Sequence, residues 1–593
     1  MHLDIWPTRA QFAPDEPIRL WVEATGLHPQ AATLTCRVQR GAGRGVGASP
    51  APSESTHTLE VGVDGSAGQA IEIYLPDVAP PAGTAVGYAA EAWLDLADGG
   101  VLRSATSVDV AEHWRRAPRY GFFADFASEE TAEESQRRAD LLLRLHVNVV
   151  QFYDWMLSHH TLVPPEPEFT DPLGRRLSRT VAQRKIDLAH ERGMAALGYG
   201  ALYGAEAGFS DAHPDWLLYD GQRRPHVLAE IFYLQDIREV SGWRRWIIGQ
   251  FRDAVRTMGF DGIHIDQYGY PKRSLSRATG AWEEVRLGEE FPGFVEQACA
   301  ETLEVRPDGG SIFNLVNAWP LAATPQIRSD AATYIEVWEP HSTYRDLYDL
   351  VVRSRELRPD KHVILAAYLR PFHPVDGRTP GAMTTFRLAS ATIAASGGFH
   401  LIAGEGNGLL TEAYYPTYGR LDDEDLATVR RYLDFVVRHT AALHAPTPDV
   451  AWTQVGPTND VILLDHPDLP DERPDGPCTG KQVSYCAGAV PGTVWTVARE
   501  LGDTTALSLV NLVGIRSGLW NVDQPDAPRP FDGIVVRVAV TGDVAGVWWD
   551  TPDDEVGVPR PLEFAVVDEE RNRYLVFTLP RLEFWSLAWW RLA

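Results

Sequence analysis

The chain of 593 residues lacks any apolar run close to the roughly 18 residues that a membrane-spanning helix needs. It contains only four cysteines, which excludes a small fold held together by disulfide bonds. Basic residues are also scarce, since 54 Lys and Arg stand against 81 Asp and Glu and give a formal net charge of -27. This charge repels phosphate backbones and anionic lipid surfaces, so we predict neither a nucleic-acid partner nor a membrane partner.

The first residues show no basic segment followed by an apolar one, which is the pattern of a secretory leader. We therefore expect either a cytoplasmic protein or a secreted protein whose leader has been removed. If the protein is exported, we expect a disulfide between Cys478 and Cys486, which lie in a loop rich in Pro and Gly. The alternative is two unrelated cysteines in a cytoplasmic enzyme. The cysteine spacing fits no zinc motif, and we predict no metal and no cofactor.

Tryptophan is abundant, with 19 residues in the chain. Flat aromatic rings cover the apolar faces of sugars, and a neutral carbohydrate polymer escapes the repulsion that the negative charge imposes on polyanions. Carbohydrate is therefore the partner class that the composition favours. Most of these indoles are nevertheless expected in the core, including the pair Trp589 and Trp590 near the end of the chain.

Three regions of the chain differ in their hydrophobic patterns. Residues 1–116 carry short alternating runs such as IRLWVEA and QAIEIYLP, which predict an N-terminal immunoglobulin-like β-sandwich. Residues 447–593 carry similar runs, such as GIVVRVAVTG and RNRYLVFTLP, which predict a C-terminal antiparallel β-sandwich. Residues 117–446, between them, alternate short apolar strands with amphipathic helices.

The central region contains eight strand-like runs with helical stretches between them. These runs begin at Tyr120, Val147, Ala195, Gly262, Ile312, Ala332, His362 and Gly398. Eight such units predict a central (β/α)8 TIM barrel, and the fold class is therefore multidomain α/β. A doubly wound sheet gives a similar pattern, but it usually has only about five to seven strands.

Polar and aromatic side chains cluster where the predicted strands end, which is the face of a barrel that carries active sites. The aromatic residues that we expect to stack on sugar rings are Tyr153, Trp155, Tyr199, Tyr203, Tyr268 and Trp338. The other side chains that we expect to bind substrate are Asp154, His159, Gln267, Asn317, Tyr368 and Glu405. Asp125 and Asp236 are further candidate contacts of uncertain role.

Strand alternation selects two carboxylates among these residues. In GIHIDQYG the isoleucines share the face suited to the outer helices, whereas His264 and Asp266 share the face that points into the barrel. In YIEVW, Ile335 and Val337 point outward in the same way and leave Glu336 at the barrel mouth. Asp266 and Glu336 thus project into one cavity, at a separation that the pattern alone cannot assign to retaining or inverting chemistry.

Structural roles compete with catalysis for each of these residues. Asp266 could cap a helix at a strand end, and Glu336 could pair with a nearby arginine. Two such carboxylates flanked by Tyr, Trp, Asn and Gln favour catalysis over both alternatives. His264 beside Asp266 could suggest a metal site, but no third ligand shows a suitable spacing.

The segments YGFFADF, VNVVQFYDWMLSHHTLVPPEPEFTDPLGRRLS, GFDGIHIDQYG and ATYIEVWEP resemble glycoside hydrolase family 66, the dextranases and cycloisomaltooligosaccharide glucanotransferases. The resemblance covers nearly the whole chain. It implies a retaining enzyme that acts on α-1,6-linked glucose, with the nucleophile at Asp266 and the general acid/base at Glu336. The cyclising members carry an additional carbohydrate-binding module, and no inserted stretch of that size is present here.

The resemblance favours endo-acting hydrolysis of dextran and isomaltooligosaccharides. A glucanotransferase that forms cyclic or elongated isomaltooligosaccharides and a non-catalytic carbohydrate-binding protein are the alternatives. We expect Asp266 to be ionised, with its pKa held low by hydrogen bonds from Gln267, His264 or Tyr268. We expect Glu336 to be protonated, with its pKa raised by Trp338 and by the charge of Asp266.

Overall fold

The computed structural model describes residues 1–28, 32–43, 52–76, 83–96, 99–413, 417–456, 459–469, 485–569 and 572–593. Cys478 lies outside these residues, and so does the predicted disulfide to Cys486. None of the helices in the described ranges is long and apolar enough to cross a membrane.

Eight parallel strands form the centre of the molecule, each hydrogen-bonded to the next in chain order. They are β1 (Tyr120–Phe123), β2 (Val149–Phe152), β3 (Ala195–Ala201), β4 (Gly262–Asp266), β5 (Ile312–Val316), β6 (Thr333–Glu336), β7 (Val363–Ala366) and β8 (Gly398–His400). The sheet closes where the backbone N–H of Phe122 donates to the carbonyl oxygen of Ala403 at 3.1 Å. The predicted barrel is confirmed, because all eight predicted runs contain one of these strands.

Seven long helices surround the strands. They are α1 (Ala132–Arg144), α2 (Arg179–Glu191), α3 (Gly242–Met258), α4 (Leu287–Val305), α5 (Tyr344–Leu357), α6 (Ala382–Ser396) and α7 (Asp423–Arg438). A short 3-10 helix, Leu321–Gln326, takes the place of a long helix between β5 and β6. The loops at the β3 and β4 ends are longer and form small antiparallel sheets beside the barrel mouth.

The predicted alternation of β4 and β6 is confirmed by burial. Ile263 and Ile265 are fully buried in the apolar layer that the barrel shares with its helices, and Ile335 lies in the same layer. His264 lies inside the barrel instead, where the ring of Tyr334 meets it edge-on at 4.8 Å. Strand geometry therefore fixes which side chains can reach the mouth.

Antiparallel sheets precede the barrel in the chain. One sheet has three strands (His2–Pro7, Ile18–Thr25 and Ala67–Ile73) and the other has four (Ala32–Arg40, Ser53–Leu59, Ala85–Asp95 and Val101–Ala111). Leu, Val and Ile side chains from both sheets share one core, as in a sandwich.

A second pair of sheets follows the barrel. The four-stranded sheet contains Ile462–Asp465, Phe531–Ala539, Phe564–Glu569 and Asn572–Leu582. The six-stranded sheet contains Tyr485–Cys486, Val494–Glu500, Thr504–Asn511, Val544–Asp550, Arg560–Pro561 and Trp585–Leu592, and only its Tyr485–Cys486 strand pairs in parallel. Trp589 and Trp590 are buried here, as predicted. The predicted domain boundaries at 116/117 and 446/447 stay predictions.

The segment 518–523 extends from the C-terminal sheets to the rim of the barrel. The backbone and indole N–H groups of Trp520 donate to the carbonyl oxygens of Ser342 and His341, in the loop after β6, at 3.0 and 2.8 Å. Asn521 accepts a hydrogen bond from the backbone N–H of Arg370, in the loop after β7, at 2.8 Å. Two loops of the barrel mouth are thus held by the C-terminal part of the chain.

Candidate active site

Asp266 and Glu336 meet at the barrel mouth, where β4 and β6 end. Asn314, on the intervening strand β5, joins them, because its Nδ2 atom donates to Oδ1 of Asp266 at 2.7 Å and to Oε2 of Glu336 at 3.1 Å. One side-chain amide carries two N–H bonds, so it can serve both carboxylates at once. The two acidic groups therefore lie within the span of a single amide.

Each carboxylate also accepts a hydrogen bond from the hydroxyl group of a different tyrosine. The hydroxyl of Tyr199 on β3 donates to Oδ2 of Asp266 at 2.9 Å, and the hydroxyl of Tyr368, beyond β7, donates to Oε1 of Glu336 at 3.2 Å. In the described part of the chain, each of these two hydroxyl groups donates to one carboxylate. The two groups thus have separate environments that substitution can change one at a time.

Burial raises the pKa of both carboxyl groups. The pKa of Asp266 rises to about 6, although hydrogen bonds from Asn314 and Tyr199 act in the opposite direction. The pKa of Glu336 rises to about 7, first because of burial and second because of the negative charge of Asp266. The expectation of a low pKa for Asp266 was wrong, since burial outweighs the hydrogen bonds. Trp338 was also misjudged, because its hydrogen bond lowers the pKa of Glu336.

The two carboxylates line a narrow cavity of about 40 Å³. Five of the predicted substrate-binding residues line it too, namely Tyr153, Tyr199, Gln267, Tyr268 and Tyr368. Ordinary small-molecule sites enclose roughly 300–1,000 Å³, so this cavity can hold only the reacting part of a substrate. The rest of a chain-like substrate must lie elsewhere on the mouth.

Three residues that were predicted to bind substrate are buried and do not line the cavity. Trp155 is fully buried against Phe260, with ring centroids 4.8 Å apart. Tyr203 is also buried, and its hydroxyl donates to the carbonyl oxygen of Tyr270 and accepts from the backbone N–H of Tyr268. Glu405 is buried in an ion pair with Lys185. These side chains pack behind the residues that line the cavity.

The remaining predicted contacts surround the cavity without lining it. Asp154 is buried and paired with Arg175 at 2.9 Å. His159 lies edge-on to the ring of Tyr199, with centroids 6.2 Å apart, and its backbone N–H donates to Glu206. Trp338 is half-buried beside Tyr368.

Asn317 and the two further candidates have local partners. Asn317 donates from Nδ2 to the carbonyl oxygen of Glu339 at 2.7 Å. Asp236 is fully buried in a bond network with Arg238, whereas Asp125 remains partly exposed beside Arg138. Asp236 therefore has a structural role.

Asn314 and Gln151 line the cavity but were not among the predicted contacts. Asn314 bridges the carboxylates, and Gln151 is buried in the cavity wall with its Oε1 atom lacking a hydrogen-bond partner among the described residues. Both stand on the inward face of their strands, so alternation could have found them. No sequence pattern indicates that one amide would donate to two carboxylates.

A closed eight-stranded barrel that brings two carboxyl groups with raised pKa together at its mouth is typical of enzymes that cleave glycosidic bonds. The sequence places the chain within this class. It belongs to glycosyl hydrolase family 66, whose sequence model matches residues 55–588. The family resemblance read from the four segments is confirmed.

Relatives with stated activities are distant in sequence. A cycloisomaltooligosaccharide glucanotransferase of Niallia circulans is 22% identical over 641 residues, which cover 83% of this chain and 63% of that protein. A dextranase of Streptococcus salivarius is 22% identical over 572 residues, which cover 83% of this chain and 66% of that protein. The chain thus spans just under two thirds of the length of each relative.

A solved structure shares the fold. The cycloisomaltooligosaccharide glucanotransferase of Paenibacillus sp., complexed with cycloisomaltoheptaose, superposes with a TM-score of 0.83 at 20% identity, and 99% of both chains is covered. The arrangement of the barrel and its flanking sheets is therefore one that occurs in this family.

Proposed function

We propose that this protein is a retaining, endo-acting hydrolase of α-1,6-glucosidic linkages in dextran and isomaltooligosaccharides. In this proposal Asp266 is the nucleophile and Glu336 is the general acid/base. The observation that carries it is the shared amide of Asn314, because it limits how far apart the two carboxylates can be.

The separation of the carboxyl groups favours retention. Oδ1 of Asp266 and Oε2 of Glu336 accept hydrogen bonds from the same nitrogen atom of Asn314. The distance between these two oxygens therefore cannot exceed the sum of the two bond lengths, 2.7 and 3.1 Å. An inverting enzyme needs roughly 6.5–9.5 Å between its carboxyl groups to admit a water molecule, whereas a retaining enzyme needs roughly 5–5.5 Å. The upper limit for this pair of oxygen atoms is below the inverting range, which supports a retaining geometry.

The order of the two pKa values supports the division of roles. Burial raises the pKa of both groups, and hydrogen bonds from Asn314 and Tyr199 favour the ionised form of Asp266, which can attack the anomeric carbon. The negative charge of Asp266 raises the pKa of Glu336 further, so Glu336 keeps its proton and can give it to the leaving oxygen. In the second step Glu336 takes a proton from the water that releases the sugar from Asp266.

Substrate preference is the first testable consequence. The named activities of the relatives, a dextranase and glucanotransferases of isomaltooligosaccharides, support α-1,6-glucan as the substrate. We expect reducing ends to form at least tenfold faster from dextran than from starch or pullulan at equal mass. Product chromatography on the same samples separates short linear products of hydrolysis from cyclic or elongated products of transfer. Faster release from starch would contradict the proposal.

The raised pKa values of the two carboxyl groups predict how the activity depends on pH. Activity rises as Asp266 loses its proton and falls as Glu336 loses its proton, so kcat/KM should be bell-shaped with apparent pKa values of about 6 and 7. Asn314→Ala removes a donor that lowers both pKa values, so both limbs should move to higher pH by about one unit.

Two tyrosine variants provide matched controls for Asn314→Ala. Tyr199→Phe should move only the acidic limb, and Tyr368→Phe should move only the basic limb, because each hydroxyl bonds to one carboxylate. Equal movement of both limbs in both tyrosine variants would contradict the assignment of separate environments.

A further inference from the structure

An open groove lies beside the cavity, between the loops that follow β4 and β5. Its volume is about 500 Å³, and Lys272, Arg273, Arg286 and Trp319 are among its lining residues. This volume falls within the roughly 300–1,000 Å³ of small-molecule sites, whereas the cavity with the carboxylates does not. The groove is therefore large enough for the sugar units that the cavity cannot hold.

The groove is next to the cavity, because residues close together in the chain line the two spaces. In the loop after β4, Gln267 lines the cavity and Lys272 lines the groove; at the end of β5, Val316 lines the cavity and Trp319 lines the groove. The Nε2 atom of Gln267 also donates to the carbonyl oxygen of Trp319 at 3.1 Å. This bond joins a residue of the cavity to a residue of the groove, so the two spaces are neighbours at the barrel mouth.

The backbone before Trp319 is held in an unfavourable conformation. Asn317 and Ala318 have φ values of 52 and 59°, in the left-handed region that disfavours residues with a Cβ atom. Such strain destabilises the fold and is often retained where it positions a functional side chain. Here it turns the chain so that the indole of Trp319 lies in the groove wall.

The ring of Trp319 packs edge-on against Phe291, with ring centroids 5.1 Å apart, and has two further close neighbours. The ammonium nitrogen of Lys272 lies 3.3 Å from the ring centroid, and the ring approaches Gly288 so closely that a Cβ atom there would lie 3.3 Å from it. Lys272 is exposed and on a flexible stem, so a ligand can displace it from the ring and still bond to its N–H groups.

The charges of the groove favour an uncharged ligand. Arg286 bonds to Glu284 at 3.0 Å and to Glu289 at 3.3 Å, and Arg273 lies 3.7 Å from Glu284. These carboxylates neutralise most of the positive charge, and the protein as a whole carries a formal charge of -27. A polyanion is therefore disfavoured, whereas sugar hydroxyls can bond to both kinds of charged group.

We propose that this groove binds glucose units of the substrate chain that are remote from the cleaved bond, with Trp319 as the stacking surface and Lys272 as a hydrogen-bond donor. The proposal rests on the proposed function, since it concerns the same glucan chain. It makes the groove the element through which the enzyme prefers long chains over short ones.

The test compares a long and a short substrate. For the wild type, kcat/KM on isomaltoheptaose should exceed that on isomaltotriose, and Trp319→Ala should lower this ratio about tenfold. Lys272→Gln, at an exposed position where misfolding is not expected, should lower it about threefold. Trp452→Ala is the matched control, because Trp452 is 41% exposed but lies outside the groove, and its ratio should match the wild type.

A binding measurement separates affinity from turnover. By calorimetry, isomaltoheptaose should bind to Asp266→Ala about tenfold more tightly than to the double variant that also carries Trp319→Ala. If the wild type cleaves dextran but both groove variants keep the wild-type ratio and affinity, the groove proposal is overturned and the proposed function stands. If the wild type neither binds nor cleaves isomaltooligosaccharides, both proposals are overturned.

Discussion

Replacing Asp266 by Ala should lower turnover of dextran by roughly six orders of magnitude, the scale at which removing the nucleophile acts in a serine protease. The variant lacks the group that forms the glycosyl–enzyme bond, but Glu336 and Asn314 remain to protonate the leaving oxygen and hold the substrate. Azide is small enough to occupy the space of the lost carboxylate. It should restore part of the activity and yield a glycosyl azide of inverted anomeric configuration.

The matched control is Asp253→Ala. Asp253 lies on the exposed side of α3, where it pairs with Arg256, and its loss should leave turnover at the wild-type level. Proton NMR of the first sugar released by the wild type completes the test. Inversion in the wild type would show that Asp266 is not the nucleophile, and the absence of azide rescue in a folded Asp266→Ala would weaken the assignment in the same direction.

Glu336→Gln should slow the cleavage of a substrate with a poor leaving group much more than the cleavage of a substrate with a good one. The substitution keeps the shape of the side chain but removes the proton that the leaving oxygen needs, so cleavage of dextran should fall by roughly a thousandfold. With an aryl leaving group that departs without protonation, formation of the glycosyl–enzyme should fall by less than about tenfold. The basic limb of the pH profile, which reports the pKa of about 7, should disappear.

Glu339→Gln is the control for this variant, because Glu339 is exposed three residues further along the chain and lines neither the cavity nor the groove. Pre-steady-state kinetics measure the first step alone, which prevents the slow second step from hiding the difference. An equal loss on both substrates would mean that Glu336 is not the acid.

The barrel and the two carboxylates could be predicted because they follow from local rules. Eight apolar runs of the right length define the strands, and the period of two along β4 and β6 places Asp266 and Glu336 on the inward face. These features need only the residues of one strand at a time. The same holds for the flanking sheets, whose strands alternate in the expected way.

The structure differs from the predictions in two situations. One is where the chain leaves a strand and the alternation ends. The other is where residues distant in the sequence determine the position or the pKa of a side chain. Asp154 has a φ of 54°, which ends the alternation after β2 and turns Trp155 into the layer beneath Phe260. Glu405 is paired with Lys185 of α2, 220 positions away in the chain. The pKa of Asp266 depends on how completely the assembled barrel excludes water, which no local pattern encodes.

Segment 518–523 is attached to the loops after β6 and β7. The activity at the barrel mouth therefore depends on a part of the protein that holds neither carboxylate. The loop after β6 carries Trp338, whose hydrogen bond acts on the pKa of Glu336. Local opening of segment 518–523 would release this loop. Heat tolerance of the activity therefore depends on this attachment as well as on the barrel, and amino-acid changes far from the sugar can alter it.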